Sequence, residues 1–233
     1  MPVAIITGAS KGLGRALAEV LAARGWDLVL DARTAQVLKE TAAAVAAEHG
    51  TRVEAVAGDV TDPAHRSELV AAAGRLGGCD LLVSNASALG AEPLVRLAEL
   101  PVDGLRRALE VNVVAALGLV QEALPLLRSA RAGAVVTVSS DAAAEAYGTW
   151  GGYGASKAAL DQIAAVLGAE EPGLRVWAVD PGDMATDLYA AAVPDDDAPR
   201  PDPRGVAPAF LRLLDERPAS GRYGAPALLG GRR

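Results

Sequence analysis

Six short runs along the chain are almost wholly apolar: Val3–Thr7, Asp27–Asp31, Val53–Ala57, Leu81–Ser84, Ala134–Ser139 and Arg175–Asp180. Longer segments with helical apolar spacing alternate with them: Gly12–Arg24, Ala35–His49, Pro63–Leu76, Val102–Arg128, Tyr153–Glu171 and Gly205–Glu216. Short continuous apolar runs suit strands covered on both faces, as in a parallel sheet. Their alternation with helices predicts an α/β fold, a Rossmann-type doubly wound parallel sheet with right-handed crossovers and helices on both faces. At 233 residues, one domain spanning 1–233 is the natural size. In such sheets ligands bind beyond the carboxyl ends of the strands, and the residues with chemical capacity gather there.

The first strand enters Gly8-Ala-Ser10-Lys11-Gly12-Leu13-Gly14 and then a helix. A glycine turn between strand and helix offers backbone N–H groups and a helix N-terminus to a pyrophosphate. Its spacing is Gly-x3-Gly-x-Gly rather than the commoner G-x-G-x-x-G. Downstream, Ser140 lies thirteen residues before Tyr153, and Lys157 lies four after it. Tyr and Lys therefore share one helix face, a turn apart. A phenol titrates near ~10, and a nearby ammonium favours its phenolate form. A serine hydroxyl at the preceding strand end can hold a substrate oxygen against that phenol. This set moves a proton on and off an alcohol or carbonyl.

These motifs, in this order, resemble the short-chain dehydrogenases/reductases over about Pro2–Leu188. The matched elements are Thr7-Gly8 through Gly14, Asp59-Val60, Asn85-Ala86, Asn112, Ser140, Tyr153 with Lys157, and Pro181-Gly182 with Thr186. The resemblance implies a nicotinamide dinucleotide cofactor and a catalytic set of Asn112, Ser140, Tyr153 and Lys157. It further implies cofactor contacts from Gly8, Ser10, Lys11, Gly12, Leu13, Gly14, Asp59, Val60, Asn85, Ala86, Tyr153, Lys157, Pro181, Gly182 and Thr186. Asp59 would accept from the adenine amino group, although a helix-start role fits it too. Asn112 would hold Lys157 through its backbone carbonyl and a water, and Thr186 would bind the nicotinamide carboxamide. The family's Asn-Asn-Ala-Gly turn reads Ser84-Asn85-Ala86-Ser87 here, which adds an oxygen close to the cofactor's path and makes Asn85 more a turn-former than a ligand.

The second strand ends Leu30-Asp31-Ala32-Arg33. By resemblance Ala32 stands where NAD-preferring relatives carry Asp, and Arg33 and Lys11 match basic positions of NADP-preferring ones. Asp31 falls one residue early, where the strand's period of two turns it to the other face, as a strand-end cap or a partner of Arg33. NADP(H) is accordingly expected over NAD(H). The expected reaction is reduction of a ketone or aldehyde to an alcohol, or the reverse, with Tyr153 as general acid/base and no metal. The alternatives are an NAD-dependent alcohol dehydrogenase of the same family and a non-catalytic dinucleotide sensor or scaffold.

Composition narrows the partners. The net charge is −7 and the isoelectric point about 4.9, which speaks against nucleic acid or an anionic membrane. Cys79 alone cannot form an internal disulfide and is expected buried. His49 and His65 lie in polar helical segments and are expected on the surface. No uninterrupted apolar run reaches ~18 residues and no leader pattern opens the chain, so a cytoplasmic protein is expected. Residues 187–204, rich in Pro and acid, are expected to form a substrate lid or a solvated connector. Tyr147, Trp150, Met184 and Tyr189 are expected to wall the pocket. The segment Gly221–Pro226 and the Arg232-Arg233 tail depart from the family pattern, which leaves a last strand and a tetramer in doubt. A homodimer through Leu105–Leu127 and Tyr153–Leu167 is expected from the resemblance.

Overall fold

The computed structural model describes residues 1–230. The Arg232-Arg233 tail lies outside the described residues. Its centre is a parallel sheet of seven strands: β1 (Val3–Ile6), β2 (Asp27–Ala32), β3 (Val53–Ala57), β4 (Leu81–Ser84), β5 (Ala134–Val138), β6 (Arg175–Asp180) and β7 (Gly221–Gly224). They lie in the order β3-β2-β1-β4-β5-β6-β7, so the chain reverses direction of winding between β1 and β4. Ile5 pairs with Val29 on one side and Leu82 on the other.

Alternation along each strand feeds two separate cores. Ala4, Ile6, Leu28, Leu30, Val136 and Trp177 face a layer built from α1 (Gly12–Ala22), α2 (Ala35–His49) and α8 (Pro203–Glu216). Val3, Ile5, Val29, Leu82 and Val135 face α3 (Pro63–Leu76), α5 (Ala115–Ser129) and α6 (Gly151–Glu170). With few aromatics available, these layers pack through Ala, Val and Leu. Cys79 is buried among them, and burial pushes its thiol up to about 12.

Where helix starts carry a cap, sequence and structure agree closely. Asp62 accepts from Ala64 N–H ahead of Pro63, and Asp202 does the same for Arg204 ahead of Pro203. The predicted helix Val102–Arg128 divides into α4 (Val102–Leu109), a π-helical stretch Glu110–Val114 and α5. Together Val102–Ser129 is long and apolar enough by length and mean hydropathy (1.4) to cross a membrane. Here Leu119, Val120, Ala123 and Leu127 along it are buried against the sheet.

The structure answers two doubts and corrects two expectations. Gly221–Gly224 does form a last strand, paired in parallel with β6. Residues 187–204 hold only one turn-and-a-half of helix, α7 (Asp187–Ala192), before an irregular stretch leading to α8, and the chain then closes with α9 (Ala225–Leu229). His65 is not a surface residue: it is 6% exposed and bonded to Asp31. Asp31, in turn, does not pair with Arg33, because its buried carboxylate is taken up by His65.

Candidate active site

A cleft of about 870 Å³ opens along the carboxyl ends of the strands. Gly8, Ser10, Lys11, Gly12, Leu13, Arg33, Asp59, Val60, Asn85, Ala86, Ser140, Tyr153, Lys157, Pro181, Gly182 and Thr186 all line it. Gly14 and Asn112 stand behind its wall. Residues spread over most of the sequence thus converge because each follows a strand of the same sheet.

The glycine turn is shaped by close approach. Gly8 has φ +65°, and a Cβ there would lie 3.0 Å from Asn85 Nδ2. A Cβ on Gly14 would meet the Gly8 carbonyl oxygen at 2.4 Å. Asn85 clamps this turn to the loop after β4: its Nδ2 donates to the Thr7 and Gly8 carbonyls, and Thr7 Oγ1 accepts from the Asn85 and Ala86 N–H groups. Asn85 is therefore occupied as a turn-former. No side chain caps the first turn of α1, which leaves its N–H groups directed at the cleft. A helix N-terminus with bare glycine backbone beside it fits a pyrophosphate.

At the end of the cleft beyond β2 and β3, Arg33 is exposed at the rim. Lys11 forms an exposed ion pair with Asp187 at the start of α7. Burial alone would raise the Asp59 carboxyl, but the Thr61 N–H and hydroxyl and the Arg107 guanidinium outweigh it and hold the group at about 2. Asp59 thus organises the loop after β3, and Asp62 rather than Asp59 caps α3. Arg66 supports the same loop by donating to the Val60 and Thr61 carbonyls.

At the other end, the break after β5 separates two serines. Ser139 donates to Asp161 of α6. Ser140, in extended conformation, accepts from Ala142 N–H and donates to Asp141 Oδ1. Tyr153 is 6% exposed, with the Trp150 ring edge-on at 5.7 Å. Lys157 Nζ lies 5.5 Å from the Tyr153 ring centroid and donates to the Val138 carbonyl at 2.7 Å. Burial pushes the Tyr153 phenol well above its usual range; a hydrogen bond with Ser87 opposes this, and Asp180 and Asp141 reinforce it. Burial also lowers Lys157 to about 8, against the pull of Asp161. A nearby ammonium alone would bring the phenol down, but desolvation of both groups dominates here.

Asn112 lies in the π-helical stretch with its amide fully paired. Nδ2 donates to the Ala88 carbonyl and Ser156 Oγ, while Oδ1 accepts from Ala88 N–H and Ser87 Oγ. It fastens the loop after β4 to α6, whose Ser156 donates to the Tyr153 carbonyl. Ser87, the replacement in the family's turn, thus donates to Asn112 and stands close enough to Tyr153 to bear on its phenol. Sequence reasoning noticed its oxygen but had no means of finding either partner.

Trp150, Met184 and Tyr189 line the cleft near Tyr153, while Tyr147 is 48% exposed and does not line it. Asp183 and Asp141 also face it. Burial and the neighbouring Asp141 raise the Asp183 carboxyl. The segment 187–204 is tied to itself: Arg200 stacks over the Tyr189 ring at 4.9 Å and donates to the Tyr189 hydroxyl and Asp196.

The sequence pattern of the short chain dehydrogenases matches residues 2–197. An uncharacterised oxidoreductase of Saccharomyces cerevisiae is 36% identical over 189 residues, covering 80% of this chain and 72% of that protein. The cis-4-hydroxycyclohexanecarboxylate dehydrogenase of Sinomonas cyclohexanicum is 37% identical over 197 residues, 83% of this chain and 77% of its own. A short chain dehydrogenase of Escherichia coli complexed with NADPH superposes with a TM-score of 0.90 at 28% identity, covering 96% of each chain. The matched stretch contains the glycine turn, Ser140, Tyr153 and Lys157, and the chain belongs to the short-chain dehydrogenase family of oxidoreductases, which work with nicotinamide dinucleotides.

Proposed function

We propose that the protein is an NADP(H)-dependent oxidoreductase that interconverts a ketone or aldehyde with its alcohol. The observation that carries this reading is the convergence of Ser140, Tyr153 and Lys157 on one cleft with an uncapped helix N-terminus and its glycine turn. A nicotinamide dinucleotide bound there supplies or accepts the hydride. Ser140 Oγ, at the short turn after β5, turns its hydroxyl proton from Asp141 to the substrate oxygen and holds it by a hydrogen bond. Tyr153, protonated because burial disfavours its phenolate, donates its proton to that oxygen in reduction and withdraws it in oxidation. Lys157 carries positive charge beside the ring and favours the phenolate formed at that moment. Asn112 positions the wall by tying Ala88 to Ser156. Trp150 and Tyr189 shield the reacting atoms from water.

Several features support NADP(H) over NAD(H). The Asp31 carboxylate is already engaged by His65 and lies 3.4 Å from Gly8 N, so it is not free to accept from a ribose hydroxyl. Arg33 and Lys11 supply positive charge at the same end. The Lys11–Asp187 pair is exposed, and such pairs are weak enough for a phosphate to displace the carboxylate. A homodimer through α5 and α6 remains our reading, supported by the outward Val114 and Val166, which are 51% and 43% exposed.

The test is NADPH oxidation, followed by absorbance, against ketones, diketones, quinones and aldehydes, with Tyr153→Phe as control. Turnover is expected to fall by several orders of magnitude in the variant while NADPH affinity stays within about threefold. Wild-type turnover from Tyr153→Phe would overturn the assignment.

A further inference from the structure

We infer that His65 is a specificity-determining residue for the adenosine end of the cofactor: paired with Asp31 under the end of β2, it cancels that carboxylate's charge and so admits a 2′-phosphate. The inference rests on the NADP(H) reading above.

The pair is built into the fold. Asp31 is 2% exposed, its backbone carbonyl accepts from Ala9 N–H, and its Oδ2 lies 3.4 Å from Gly8 N. Its Oδ1 is 2.7 Å from His65 Nε2. The imidazole lies flat against the backbone at the end of β3, where a Cβ on Gly58 would fall 2.3 Å from its Nδ1. Ring and carboxylate are thus locked between β2, β3 and α3, with Asp31 itself in the cleft lining beside Ala32 and Arg33 and His65 behind it.

His65 stands in the first turn of α3, where the helix dipole disfavours a positive charge. The charges around it work the other way. Asp31 faces it from β2, Asp62 and Glu68 from α3, and Asp59 bears on Asp31 from the β3 end, itself paired with Arg107 of α4. These carboxylates favour the imidazolium, and the hydrogen bond with Asp31 is the largest cause of the raised His65 pKa. With the imidazolium formed, the pair is neutral overall, and the positive charge of Arg33 at the strand end is left unopposed by Asp31. With a neutral imidazole, the uncompensated Asp31 carboxylate repels a 2′-phosphate but leaves a ribose hydroxyl almost indifferent. The ratio of NADPH to NADH affinity should therefore be high below the raised His65 pKa and fall as pH rises through it.

The experiment measures dissociation constants of NADPH and NADH by fluorescence titration of the whole protein between about pH 6 and 9. Wild type, His65→Gln and Asp31→Asn are compared. The wild-type ratio is expected to fall about tenfold across the range. His65→Gln should show the low ratio throughout, and Asp31→Asn a high, flat one. A residue that merely supports the turn would weaken both cofactors together, so an unchanged ratio in His65→Gln would overturn the inference. Should that variant not fold, a wild-type slope persisting in Asp31→Asn would overturn it equally. A protein preferring NADH at every pH would overturn the NADP(H) reading, whereas the presence or absence of the slope, and its loss in Asp31→Asn, would still decide the role of His65.

Discussion

Lys157 is a charged side chain at 1% exposure, with one carbonyl, that of Val138, within hydrogen-bond reach among the described residues. Its lowered pKa has a thermodynamic sign. Below about 8 the folded protein must keep a buried ammonium, at a cost. Between about 8 and the ordinary lysine value of 10.5 the unfolded chain holds a proton that the folded chain gives up, so this cost is relieved as pH rises through that window. Lys157→Met is therefore expected to abolish turnover yet melt several degrees higher than wild type at pH 7, a gain on the order of 1–3 kcal/mol, checked by calorimetry. Ser87 gives a second prediction at this scale. Its hydrogen bond opposes the upward shift of Tyr153, so Ser87→Gly should move the alkaline limb of carbonyl reduction, where Tyr153 must hold its proton, to higher pH. A pH–rate profile checks this. Ser140, Tyr153 and Lys157 were legible because their relation is written in short sequence spacings. The Asp31–His65 pair was not: its members stand 34 residues apart, and a polar stretch around His65 mimics a solvated helix face.

Between α4 and the loop after β4, two backbones touch with no side chain between them. A Cβ on Gly104 would lie 2.0 Å from the Gly90 carbonyl oxygen. Gly104→Ala should therefore push α4 from the loop that Asn112 anchors, costing on the order of 3 kcal/mol in urea unfolding and lowering turnover more than cofactor affinity. Elements with a cap or long apolar periodicity were legible to within a residue or two, as α2, α3, β3 and β6 illustrate. The π-helical stretch was not, because its apolar spacing differs from α-helix by a single residue's advance. Nor was β7, a Gly-Arg-Tyr-Gly edge strand whose two glycines read as turn. Its place in the sheet comes from pairing with β6, which no local pattern encodes.

Charge is divided along the cleft. At the end beyond β2 and β3, Lys11 and Arg107 are paired with Asp187 and Asp59 and Arg33 adds positive charge, while Glu92, Asp141 and Asp183 in the rest of the lining outnumber the buried Lys157. The division predicts that a carbonyl substrate carrying a carboxylate is used less well than a neutral one of equal length, by about tenfold in kcat/KM at low salt, with the gap narrowing as salt is added. Steady-state kinetics on such matched pairs would check it. The strand order also bears on how the molecule is made. From the ribosome β1 appears first, β2 joins one flank and β3 the outside of β2; β4 then takes the free flank of β1, and β5, β6 and β7 follow outward in turn. Every new strand meets an edge that is already open, and none has to be inserted between two that have paired. Synthesis can therefore proceed without undoing any step, and Asn85 and the glycine turn it clamps are both translated ahead of the segment bearing Tyr153 and Lys157.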